Sequence, residues 1–101
     1  MRSFLSAVLL VAILSVNAAS AADPVHGQEL ARRWCADCHV VAADQRQVLT
    51  QAPPFSAIAQ KSDFKAERLA FFLLEPHPKM PSMSLTRREA ADLAAYIASL
   101  K

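Results

Sequence analysis

The apolar positions of this chain follow two patterns. Phe4 to Val16 form a mostly apolar run of 13 residues, behind Arg2 and ahead of the small-residue tail Ala19-Ser20-Ala21-Ala22. That run is too short for a typical transmembrane span. A positive start, a short apolar centre and a small-residue end predict a secretory signal peptide over residues 1–22, cleaved after Ala21 or Ala22. From Asp23 onward the pattern turns helical. Asp23-Pro24 reads as an N-cap followed by proline at the first helical position. The helix it opens runs on through Val25, Leu30 and Trp34, with Gln28, Glu29, Arg32 and Arg33 around the rest of the turn. A second helix is predicted from about Asp63 to Glu75 on Phe64, Leu69, Phe72 and Leu73, and Pro76 and Pro78 stop it. A third begins at Thr86, where Thr86 and Glu89 fit a capping box, and ends near Lys101. Its apolar residues Ala90, Leu93, Ala94, Ile97 and Leu100 share one face. Between these elements lie a loop from Val40 to Gln51, the rigid Ala52-Pro53-Pro54 and a helical turn at about Ser56–Lys61.

Composition narrows the fold class. Beyond residue 22 only eight residues are β-branched, and they form no alternating strand of useful length. The chain has one glycine, Gly27, and one asparagine, Asn17, so it lacks the residues that many tight β-turns need. The expectation is all-α. Of the 101 residues, 79 remain after the signal, about 48% of them hydrophobic. A domain of that size has a core that barely offsets chain entropy, so a staple is expected. Net charge falls from +2 to +1 with the loss of Arg2, which gives no electrostatic case for nucleic acid or an anionic membrane.

The chemistry lies in Cys35-Ala36-Asp37-Cys38-His39. C-x-x-C-H is the c-type haem attachment signature. Two thiols about one helical turn apart can each form a thioether with a haem vinyl group, and the histidine after the second reaches the iron from one face. Rival uses of the cysteines fit less well. Trp34 before the C-x-x-C also suits a thioredoxin-type redox site, but that fold needs a βαβ pattern, which is missing. Zinc needs four ligands, and only His26 and His77 remain as histidines. A Cys35–Cys38 disulfide closes too small a loop to stabilise much, and leaves His39 unexplained.

The sixth position on the iron has several candidates in Pro76-His77-Pro78-Lys79-Met80-Pro81-Ser82-Met83. A thioether is soft and neutral and favours the reduced iron. Met80 is bounded by Pro81, which restrains the loop where a ligand must be held, and this favours Met80 over Met83. His77 reads as a solvated loop residue and His26 as an exposed residue of the first helical turn.

These residues together resemble the class I cytochromes c, in particular their short bacterial soluble monohaem members. The resemblance rests on Gly27 followed by Cys35-x-x-Cys38-His39, on Pro53 to Phe55, on Lys79-Met80-Pro81, and on Asp92 to Ile97. It covers residues 23–101, read as one monohaem domain. It implies three to five helices wrapped around one haem c, covalent through Cys35 and Cys38, with the terminal helices crossing near Gly27 and Tyr96. It also implies that Pro53 lends its carbonyl to the second nitrogen of His39, Pro54 being the alternative, and that Met80 is the axial methionine. Such second-shell bonding fixes the ring and raises its basicity. There are departures. Ala31 stands where the family often has an aromatic residue, and the middle helix has Phe71 and Phe72 but no tryptophan or tyrosine for a haem propionate. Arg46, Lys61 and Gln60 are the propionate candidates.

With His39 and Met80 both on the iron no position is open, so one-electron exchange is expected in place of enzymatic turnover. The expected protein is a monomeric periplasmic carrier, moving electrons between a dehydrogenase or reductase and a terminal acceptor. Its contacts with these redox partners are small and weak. It has no stable membrane insertion. The alternatives are a haem-bearing electron-transfer subunit of a larger oxidoreductase, and a haem-based ligand sensor with a labile methionine.

Overall fold

A computed structural model describes residues 21–46, 51–75 and 79–101. The predicted signal peptide, save Ala21 and Ala22, and His77 lie outside the described residues. Four α-helices and no β-strand occur among those residues: α1 (Pro24–Trp34), α2 (Phe55–Ala59), α3 (Ala66–Leu73) and α4 (Arg87–Ala98). The chain is all-α, as expected. None of these helices is long and apolar enough to cross a membrane.

The two long helices begin where local chemistry dictates. Asp23 Oδ1 accepts from the N–H groups of Val25 at 2.9 Å and His26 at 3.3 Å, with Pro24 opening α1. At α4 the capping box is complete: the Glu89 N–H donates to Thr86 Oγ1 at 3.1 Å, and the Thr86 N–H donates to Glu89 Oε1 at 2.9 Å. Each satisfies donors that a helix start leaves without partners. The two short helices lack a side-chain cap, and there the predicted limits shift. α3 begins at Ala66, because Asp63 is spent in a turn in which Phe64 donates to the Lys61 carbonyl at 3.1 Å. The last turn of α4 tightens after Ala98, where the Leu100 N–H donates to Ile97.

α4 is the spine, with α1, α2 and α3 all packed against it. Leu30 and Ala31 of α1, Phe55 and Ala59 of α2, and Val41 from the loop between them meet Leu93, Tyr96 and Ile97. Val25 and Trp34 are exposed, contrary to the expectation that they lie on the apolar face of α1; Gly27, Leu30 and Ala31 form that face. Gly27 marks the crossing with α4. A Cβ there would overlap the Asp92 carbonyl oxygen and lie 2.8 Å from the Tyr96 Cβ, so only glycine lets the two backbones approach this closely.

Asp92 is the most polar element of that crossing, with only 2% of its surface exposed. Its Oδ1 accepts from the Asp23 N–H at 2.7 Å and its Oδ2 lies 2.7 Å from His26 Nδ1. His26 is therefore half-exposed and paired, where the sequence suggested an exposed residue. Its bond to Asp92 raises the imidazole pKa against the opposing effect of desolvation. Burial disfavours the Asp92 carboxylate, yet the Asp23 N–H and His26 outweigh it and hold the carboxyl below its usual range.

Candidate haem site

The attachment motif grows out of the end of α1. Cys35 caps that helix through its N–H to Ala31, and the chain keeps turning: the Cys38 and His39 N–H groups both donate to the Cys35 carbonyl, at 3.2 and 2.9 Å. This curl sets the two cysteines one turn apart. No disulfide joins them. Cys35 is half-buried against the core, and burial, aided by the nearby Cys38, pushes its pKa up to about 11; Cys38 is exposed.

His39 follows with its ring fixed on two sides. Nδ1 donates to the Pro53 carbonyl at 2.6 Å, and the ring lies 5.1 Å from that of Phe55, tilted by 51°. A carbonyl can only accept, so Nδ1 carries the hydrogen, and in that tautomer the lone pair lies on Nε2. Pro53, and not Pro54, makes this bond for a local reason. The Pro54 carbonyl is already used by the N–H groups of Ala57 and Ile58 in the first turn of α2.

The segment after His39 is tied down residue by residue. The Phe55 N–H donates to the Val40 carbonyl at 3.0 Å, and Tyr96 Oη donates to the Val41 carbonyl at 2.5 Å. Burial of Tyr96 raises its phenol pKa, so it stays a donor. Gln45 accepts from the Val41 N–H at 2.9 Å and donates to the carbonyls of Ala36 and His39 at 3.3 and 3.2 Å. Sequence reasoning missed both Gln45 and the His26–Asp92 pair. A lone glutamine in a loop carries no motif, and a contact across the whole chain leaves no local pattern.

The other candidates are less closely tied to this centre. Met80 and Met83 are both half-buried in the segment between α3 and α4, so burial does not separate them. Arg46, Gln60 and Lys61 are all exposed. Apolar surface is plentiful outside the core: Trp34, next to Cys35, is 51% exposed, Phe71 is 68% exposed, and no residue of α3 is fully buried. Two spaced thiols, an imidazole with its Nε2 lone pair available and uncovered aromatic side chains fit a covalently attached haem.

An all-α chain with this motif at the end of its first helix is of the haem-carrying electron-transfer class. The cytochrome c family profile matches residues 24–101, and the chain belongs to that family. It is also similar to cytochrome c-552 of Bradyrhizobium diazoefficiens, with 53% identity over 94 residues, spanning 93% of this chain and 90% of that protein. No solved structure matches it. The chain is therefore a haem-based electron carrier, with one haem c covalently attached through Cys35 and Cys38.

Proposed function

We propose that this chain is a periplasmic one-electron carrier whose iron is held by His39 and Met80. Haem, when bound, supplies a one-electron iron couple. The residues around it set how that couple behaves. Cys35 and Cys38 fix the group to the end of α1, and His39 offers Nε2 to the metal. The observation that carries this reading is the 2.6 Å bond from His39 Nδ1 to Pro53, which holds the ring in one tautomer and one orientation. Met80 offers a neutral, polarisable sulfur, and the following Pro81 restrains its backbone.

With His39 and Met80 both holding the metal, the haem would keep no site open for a substrate, so the protein exchanges electrons and does not turn over a substrate. Residues 1–22 act as the export signal and are removed, leaving residues 23–101 as a monomeric periplasmic domain. Its partners are a dehydrogenase or reductase on one side and a terminal acceptor on the other, met through small, short-lived contacts.

The ligand set is tested by producing the chain with haem-maturation machinery and recording spectra of the oxidised protein. Met80→Ala is expected to lose the sulfur-to-iron absorption band and to drop sharply in potential, while Met83→Ala keeps both. The opposite outcome assigns Met83 as the ligand. Carbon monoxide binding to the reduced wild type at neutral pH would overturn the closed iron site.

A further inference from the structure

We propose that Gln45 is a positioning residue for His39, holding the backbone behind the axial imidazole so that Nδ1 stays on Pro53. This rests on His39 as the axial ligand. The His39 side chain is fixed by Pro53 and Phe55, but a ring is only as still as the backbone that carries it. Two bonds steady that backbone, one at each end of the residue. The His39 N–H donates to Cys35 at 2.9 Å, and the His39 carbonyl accepts from Gln45 Nε2 at 3.2 Å.

The amide of Gln45 suits this place in a way no other side chain of its length does. A backbone N–H can only donate and a carbonyl can only accept, so the three contacts allow one orientation of the group. Oε1 faces the Val41 N–H, and Nε2 faces the carbonyls of Ala36 and His39. Gln45 therefore bridges the interior of the Cys35–Cys38 curl, the axial histidine and the start of the following loop with one planar group. The turn that presents Gln45 is closed by its own N–H donating to the Ala42 carbonyl at 3.2 Å, and beside it Arg32 of α1 donates to the exposed Asp44 carboxylate at 3.1 and 3.3 Å.

Glutamate keeps the size and the acceptor of this side chain but turns oxygen toward two carbonyls. Methionine keeps the length and removes every hydrogen bond. The proposal is read in the reduced, diamagnetic holoprotein by NMR, comparing solvent exchange of the His39 Nδ1 proton with that of the buried Leu93 amide on α4. In both Gln45→Glu and Gln45→Met the Nδ1 proton is expected to exchange at least tenfold faster relative to Leu93 than in the wild type. A residue that merely stabilised the fold would speed both protons alike, and an unchanged ratio overturns the proposal. Gln45→Met carries the test if the charged variant does not fold. The wild-type spectrum separately reports the axial role of His39. Imidazole carbon protons shifted far upfield by the haem ring current show ligation, and their absence would sink that reading without reference to Gln45.

Discussion

The α1–α4 crossing and the α3 side of the molecule are built on different terms. At the crossing, protein packs on protein: Gly27 lets the backbones touch, Asp92 is buried with two partners, and Leu93, Tyr96 and Ile97 are closed off from solvent. α3 turns Leu69 and Leu73 toward the core but buries neither fully, and Phe71 and Phe72 stand exposed. One region is specified by side-chain complementarity. The other has apolar surface to spare.

That contrast can be broken most directly by removing the covalent group. A Cys35→Ala/Cys38→Ala chain without attached haem is expected to lose its cooperative thermal transition, followed by far-UV circular dichroism. A sharp transition retained there would mean that α3 is held by protein contacts alone. The next largest effect belongs to the crossing. Gly27→Ala forces the helices apart and is expected to cost about 3 kcal/mol or more in denaturant unfolding of the holoprotein. Tyr96→Phe leaves the buried Val41 carbonyl without its phenol donor, at a cost of about 1–3 kcal/mol in the same assay.

The smallest effect is read through pH. The raised His26 pKa gives a contribution that is full below the unfolded value of 6.5 and is lost as pH rises through the folded value. The lowered Asp92 pKa gives one that is full above the unfolded value of 3.8 and is lost as pH falls through the folded value. The pair therefore supports the crossing best between those two unfolded values, and stability declines on either side. His26→Gln is expected to flatten the alkaline decline in a series of unfolding curves and to shrink the acid one, leaving the part that rests on the Asp23 N–H.

What could be read from the sequence follows the range of each interaction. Asp23, Pro24, Thr86 and Glu89 act within one turn of themselves, so the starts of α1 and α4 were legible. Asp63 looked like a helix start but lies in a turn, and nothing in its neighbours distinguishes the two uses. Val25 and Trp34 were expected on the apolar face; the small residues Gly27 and Ala31 took it, because close helix approach rewards small size over hydrophobicity. The Cys35–His39 motif was legible from spacing, whereas the Pro53 bond came through family resemblance, and the choice of Pro53 over Pro54 needed the carbonyls of α2. Gln45 and the His26–Asp92 pair depend on partners that only the fold brings together.

The bond from Asp23 to Asp92 joins residues 69 apart in the chain, and the whole attachment motif lies between them. Such a contact cannot form until residue 92 has been made, and closing a loop of that length must precede any gain from it. The two ends of the domain therefore behave as a clasp that fastens late. Until it does, the cysteines sit on a chain whose ends are still open to each other and to whatever must reach them.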